Sequence, residues 1–235
     1  MPWMPPVPLQ EPLQAMIVAG VMSGTSADGV DVAVCRIVPG AAAGDLPRVE
    51  VLAHRATPFP ADVRSAVLAA MDAEGISVAA LARLSWRLGE VYADAVAATI
   101  VGSGTEPTLI ALHGQTLYHQ AAGAKYLGLP TRATWQTGEP AVLAERLHLP
   151  VISNFRTADL AAGGQGAPLV PMLDFCLYRH PENNRILLNL GGIANVTALP
   201  AGCDSTAVLA FDTGPANMVI DACICLLYTS PSPRD

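Results

Sequence analysis

Ser23, Gly24, Thr25, Ser26, Asp28 and Gly29 fall within the single short stretch Gly20-Val-Met-Ser-Gly-Thr-Ser-Ala-Asp-Gly-Val-Asp31 and have the chemistry of an anion cradle. Closely spaced hydroxyls and backbone N–H groups suit phosphate oxygens. A lysine-bearing phosphate loop is excluded, because that device needs Gly-Lys-Ser/Thr opening a helix, and the chain's only lysine is Lys125. Taken alone, the Ser-Gly-Thr-Ser run also fits a tight hairpin turn. Three further stretches are richer in glycine and polar residues than a connection requires: His113–Thr116, Gly163–Pro168 and Asp212–Pro215. Each is expected to follow or adjoin a strand end, where α/β sheets place their sites. His113 and His119, taken singly, also fit structural hydrogen bonding. Asp212, taken singly, also fits a helix cap.

These residues need strands and helices to hold them. Ala15–Val21 is expected as a strand running into the Ser/Gly/Thr loop, with a second strand leaving it at once. A linker at Pro39–Pro47 leads to a strand at Val49–Ala53, then a short helix at Asp62–Met71. Ser77 is placed to cap a long helix over Val78–Val101, with Leu81, Leu84, Leu88, Val91, Ala95 and Ile100 near one face and Gly102 and Gly104 to stop it. Thr108–Leu112 reads as a buried strand ending at His113-Gly-Gln-Thr116. A helix over Pro140–Arg146 and a strand over Val151–Ser153 follow. Arg185–Thr197 repeats the opening theme as strand, Gly191-Gly192 turn, strand. A further strand, Val208–Phe211, ends at Asp212-Thr-Gly-Pro215 with a helix after it. Hairpins with glycine-rich loops in both halves suggest two related lobes clasping a phosphate chain.

Composition narrows the function classes. With 51% hydrophobic and only 14% charged residues, the chain can bury a core and is not of disordered type. A formal charge of −7 argues against nucleic acid or an anionic membrane as partner, since both call for a basic face. No apolar run reaches the length of a membrane span. The opening Met1-Pro-Trp-Met-Pro-Pro6 has no basic region, so a secretory signal is not expected. The five cysteines (Cys35, Cys176, Cys203, Cys223, Cys225) are odd in number and show no C-x-x-C pairing. They fit free thiols of a reducing compartment, and a cytoplasmic location is expected.

Five ordered blocks are more specific than any one motif: G-V-M-S-G-T-S-A-D-G-V-D, A-L-H-G-Q-T-L-Y-H, N-F-R-T-A-D-L-A-A-G-G-Q-G-A-P-L-V-P, L-N-L-G-G-I-A-N-V-T and F-D-T-G-P-A-N. In this order they resemble the signature blocks of the anhydro-N-acetylmuramic acid kinases, a family of the sugar-kinase/Hsp70/actin superfamily. The resemblance covers residues 16–222. It implies an α/β, two-lobed actin-like fold of the duplicated ribonuclease H-like kind. It also implies ATP and Mg²⁺ as cofactors and a small-molecule amino sugar as substrate. The implied reaction cleaves the 1,6-anhydro ring with water and phosphorylates O6, in peptidoglycan recycling. A homodimer is a further possibility that the resemblance raises.

Carried onto this sequence, the resemblance gives Asp212 the role of general base, which activates water at C1 while the freed O6 attacks the γ-phosphate. ATP would be held by Gly24, Thr25, Ser26, Ala27, Asp28, Gly29, Val30 and Asp31 together with Gly191 and Gly192, with Asp28 toward the metal. His113, Gln115, Arg156, Asp159 and Gln165 would lie on the substrate side. Asn154 stands where the family commonly has Asp, and Ala27 where it commonly has Leu. The expected organisation is a leader at 1–14, a first lobe at 15–135, a partial second lobe at 136–222 and an atypical tail at 223–235. The tail ends in Pro231-Ser-Pro233, which continues a helix poorly. Beyond it, family members go on to supply adenosine contacts and a second acidic residue. A sugar kinase acting on an ordinary hydroxyl is one alternative, and a non-catalytic fragment that binds sugar or nucleotide is another.

Overall fold

The computed structural model describes residues 14–40 and 45–229. The expected leader falls almost wholly outside these residues, as do part of the Pro39–Pro47 linker and residues 230–235 of the tail. In chain order come strands β1 (Met16–Ser23), β2 (Gly29–Val38) and β3 (Arg48–Pro58), then helices α1 (Ala61–Met71) and α2 (Val78–Ser103). Strands β4 (Leu109–Tyr126) and β5 (Leu129–Thr137), helix α3 (Pro140–Leu147), strand β6 (Val151–Ile152) and helices α4 (Phe155–Ala161) and α5 (Val170–Tyr178) follow. The chain closes with β7 (Arg185–Leu190), β8 (Ile193–Leu199), β9 (Leu209–Pro215) and α6 (Asn217–Thr229). This is the α/β class expected.

Two compact units divide these elements. The first comprises the chain up to Ser23, Gly29–Gln115 and Thr137–Ser153; the second comprises Gly24–Asp28, Thr116–Gln136 and the chain from Asn154 onward. The expected lobe boundary at 135/136 does not coincide with this division, since Thr116–Gln136 cluster with the second unit and Thr137–Ser153 with the first.

In the first unit β1 pairs antiparallel with β2, and β2 with β3, while β1 and β6 each pair parallel with β4. Alternation explains β2: Val30, Val32 and Val34 point inward and are buried, with the residues between them on the other face. Helix α2 begins as its sequence predicts, Ser77 Oγ accepting the Ala80 N–H at 3.2 Å. It ends at Gly104, whose left-handed φ of 64° closes the last turn. Gly102, expected as a stop, lies inside the helix. Leu84, Leu88, Val91, Ala95 and Val96 are buried on its inner stripe, where α2 packs on the strands and on α3.

Strand β4 does not stop at His113-Gly-Gln-Thr116, as the sequence suggested, but continues to Tyr126. From Thr116 it belongs to the second unit, where it and β5 form a hairpin closed by Leu127 and Gly128. Both turn residues have positive φ (48° and 89°), the pattern of the two-residue turns that suit strand twist. Later in this unit, β7, β8 and β9 form an antiparallel sheet, with α5 and α6 packed against β8. Phe175, Ala194, Thr197 and Leu199 are buried there. Ile186, Leu188, Leu209 and Phe211 lie on one face of the same sheet and are exposed. Helix α6 runs past Ala222 to Thr229, so the part of the expected tail that is described is helical. No helix among the described residues is long and apolar enough to cross a membrane.

Candidate functional site

The expected phosphate loop is the β1–β2 connection. Ser23, the last residue of β1, is 1% exposed, and its Oγ lies 2.8 Å from the Tyr92 hydroxyl in the first unit. The loop proper, Gly24–Asp28, is closed by the Ala27 N–H donating to the Gly24 carbonyl at 3.1 Å. Ala27 is buried with a φ of 50°, a packed turn residue whose contribution to a ligand is limited to its backbone. Thr25, Ser26 and Asp28 are exposed, and Ser26 Oγ donates to Asp28 Oδ1 at 2.8 Å. Val30 is a core side chain, so its contribution to a ligand is limited to its backbone. Asp31 Oδ1 meets His54 Nε2 of the neighbouring strand at 3.0 Å, an exposed pair of little energetic weight. Among the described residues no three His, Cys, Asp or Glu side chains gather as a metal cage.

His113 and Gln115 belong to the first unit, in β4. The ladder pairs Val21 with Leu112 but Met22 with Gly114, so His113 is the extra residue of a β-bulge, a feature common beside functional sites. Gly114 supplies the positive φ of 78° that this irregularity uses. His113 Nδ1 lies 2.7 Å from the Gly114 carbonyl, to which it donates. Gln115 is fully buried, its Nε2 3.8 Å from the Met71 sulfur. Expected on the substrate side, it is an interior residue in this conformation.

Arg156 and Asp159 share a face of α4, three residues apart. Both engage the backbone of one glycine: Arg156 Nη1 donates to the Gly166 carbonyl at 2.8 Å, and the Gly166 N–H donates to Asp159 Oδ2 at 2.6 Å. Burial pushes the Arg156 guanidinium pKa down from its ordinary value. Arg132, which the sequence reading passed over, donates to the Gly163 and Gly164 carbonyls at 3.4 and 3.3 Å. Gln165, between these tethered glycines, is exposed. Asn154 precedes α4 with a φ of 62°, a left-handed conformation that asparagine tolerates better than most residues.

Asp212 was expected at a strand end, ahead of a helix. It lies inside β9, and the helix does not begin until Asn217. The extension arises because Ile193 and Ala194 pair with Pro215 and Gly214, with Thr213 bulged from the ladder. Asp212 is directly opposite Asn195, which is in turn opposite Asn189, so an amide–amide–carboxylate rung crosses the three strands. Asp212 is exposed and Asn195 half-buried. Gly191 and Gly192 form the β7–β8 turn, and their carbonyls accept the N–H groups of Asn217 and Ala216, each at 2.9 Å. Asn217 Nδ2 adds a bond to the Leu190 carbonyl at 2.9 Å. Tyr92 and Arg132 lie outside every motif singled out in the sequence, whereas Asn195 and Asn217 fall within the L-N-L-G-G-I-A-N-V-T and F-D-T-G-P-A-N blocks but were given no role of their own.

A model of the anhydro-N-acetylmuramic acid kinase family matches residues 16–230, beyond Ala222 where the resemblance was expected to stop. An anhydro-N-acetylmuramic acid kinase from a strain of Bacillus cereus is 45% identical over 219 residues, covering 92% of this chain and 56% of the relative. One from Bacillus thuringiensis (strain Al Hakam) is 44% identical over 222 residues, covering 93% and 56%. One from Bacillus anthracis (strain CDC 684 / NRRL 3495) is 46% identical over 209 residues, covering 88% and 53%. A crystal structure of ROK hexokinase from Thermus thermophilus matches with a TM-score of 0.31 and 17% identity, over 80% of this chain and 47% of that one, too slight a likeness to bear on the fold. The chain thus spans about half the length of the curated relatives it matches. With most of its length matched by the family model, the chain belongs to the anhydro-N-acetylmuramic acid kinase family.

Proposed function

We propose that the protein works as an ATP-dependent kinase that opens 1,6-anhydro-N-acetylmuramic acid and phosphorylates O6, giving N-acetylmuramic acid 6-phosphate in cytoplasmic peptidoglycan recycling, as part of an actin-like two-lobed fold and as a homodimer. The observation that carries this reading is the family match across residues 16–230. Local chemistry supports it. The Gly24–Asp28 loop has exposed hydroxyls at Thr25 and Ser26, and a Cβ at Gly24 would meet nothing nearer than 3.6 Å, so a phosphate can approach the backbone there. Mg²⁺ keeps several waters and is held by one or two carboxylates plus substrate phosphates, so it asks little of the protein. Asp28, exposed in the same loop, would be such a carboxylate.

ATP supplies the phosphoryl group, and Mg²⁺ offsets its charge. In this reading Gly24–Asp31 and Gly191–Gly192 hold the phosphates, while His113 and the Gly163–Pro168 loop face the sugar. Asp212 takes a proton from water as the water oxygen bonds to C1. The C1–O6 bond breaks, and O6 bonds to the γ-phosphorus as ADP leaves. An exposed carboxylate held in a strand opposite an amide suits that proton transfer, and a positioned base contributes ~10²–10⁴-fold.

The test is turnover in the full-length protein carrying this sequence. The parent should phosphorylate the anhydro-sugar in preference to free N-acetylmuramic acid. Asp212→Asn should bind ATP and sugar while kcat falls by ~10²-fold or more. Equal kcat would remove Asp212 from the mechanism, and a preference for the free sugar would favour an ordinary sugar kinase.

A further inference from the structure

The loop that follows α4 is held by side chains of that helix. Gly166 has a φ of 71°, and both polar atoms of its backbone are held by charged side chains of α4. An added Cβ would lie 2.3 Å from Leu160 Cδ1 and 3.1 Å from the Arg156 carbonyl oxygen. At Gly164 an added Cβ would fall 2.2 Å from Asp159 Oδ2, so the carboxylate lies flat against the loop backbone. Arg132 holds the carbonyls of Gly163 and Gly164 on the other side of Gln165. Every one of these tethers goes to a glycine flanking Gln165, and Gln165 itself is exposed.

We propose that Arg156 and Asp159 are positioning residues and not sugar ligands: they grip the Gly166 backbone from both sides and fix the Gly163–Pro168 loop so that Gln165 is the residue presented to the sugar. The grip needs an acceptor at Asp159 and a donor at Arg156, not a net charge facing the substrate. A glutamine amide offers one donor pair and one acceptor, which matches the hydroxyl and acetamido groups of an amino sugar. Only the sugar-binding part of this proposal rests on the kinase reading.

Amide hydrogen exchange by NMR tests the grip in the present chain. Asp159→Ala should raise the exchange rate of the Gly166 N–H by roughly tenfold or more, as expected for loss of a hydrogen bond to a charged group. Asp159→Asn, which keeps an acceptor oxygen, should restore most of the protection, with the other amides as a check on folding. In the full-length protein, Asp159→Ala should raise the sugar KM about tenfold, leaving kcat and the ATP KM within about threefold, and Asp159→Asn should recover the sugar KM. Gln165→Ala should raise the sugar KM with Gly166 protection unchanged. Equal Gly166 exchange in Asp159→Ala and parent overturns the grip. An Asp159→Asn enzyme as poor as Asp159→Ala overturns the positioning role and returns the carboxylate's charge to the substrate. Unchanged sugar KM in Gln165→Ala overturns the role of Gln165. If the parent phosphorylates no anhydro-sugar, the kinase reading fails, and the exchange comparison still decides the grip.

Discussion

The hydroxyl of Tyr92, in the middle of α2, lies 2.8 Å from Ser23 Oγ across 69 positions of sequence, in a buried setting. The bond ties the long helix to the last residue of β1, where the Gly24–Asp28 loop begins. Tyr92→Phe should therefore destabilise the first unit by about 1–2 kcal/mol, through the lost bond and the buried serine left behind. Chemical denaturation measures this.

The same tyrosine makes stability pH-dependent. Burial raises the Tyr92 phenol pKa well above its ordinary value, and the bond to Ser23 opposes that shift only in part. An unfolded tyrosine titrates near pH 10. Above that pH the unfolded chain releases a proton that the folded chain keeps, so this contribution to stability is full below about pH 10 and declines as pH rises further. The parent should lose more stability than Tyr92→Phe between about pH 8 and about pH 11, narrowing the gap between them. A gap that stays constant over that range would place the titration elsewhere.

Gly24→Val should abolish nucleotide binding in the full-length protein while leaving its melting temperature nearly unchanged. Space is available for the side chain in the free protein, so the loop need not distort, but the valine would fill the approach of a phosphate to the backbone. Calorimetric titration with ATP checks the first part and a thermal melt the second. Undiminished ATP affinity would return the loop to a plain hairpin turn.

Gly166→Ala should cost about 1–2 kcal/mol from the left-handed backbone alone, with crowding against Leu160 and Arg156 adding to it. Thermal unfolding reads this, and a loss below about 0.5 kcal/mol would mean that the loop is not held as described.

The exposed face of the β7–β8–β9 sheet should make the isolated chain self-associate, since Ile186 is 73% and Phe211 58% exposed on one contiguous apolar surface. Leu188→Glu, placed on that face, should lower light scattering at a given protein concentration. No change in scattering would locate self-association elsewhere.

Parts of this structure are plain in the sequence because local rules determine them. Ser77 and Gly104 mark the ends of α2, and Gly191-Gly192 mark a hairpin turn. Other parts depend on partners distant in sequence. Gly114 looks like the end of a strand, yet its neighbours pair with β1 and the strand runs on through a bulge. Thr213-Gly-Pro215 looks like a loop, yet pairing with Ile193 and Ala194 keeps it in β9 and moves Asp212 from a helix start into a ladder. The Leu127-Gly128 turn lacks the Asn-Gly or Asp-Gly signal that usually announces such a hairpin. Arg156 and Asp159 came from the family resemblance alone, and a spacing of three on a helix does not say whether they face a ligand or a loop.

The carbonyls of Gly191 and Gly192 that take the first N–H groups of α6 also alter its electrostatics. A helix start ordinarily attracts anions through unsatisfied N–H groups and the positive end of its dipole. In α6 the N–H groups of Asn217 and Met218 already point at hairpin oxygens, so this end of the helix has fewer hydrogens to offer a phosphate. An anion drawn to the Gly-Gly turn has to be bound by the turn's own N–H groups. The helix serves as a latch on the opposite polarity, fixing the rotation of the turn so that its oxygens are already occupied.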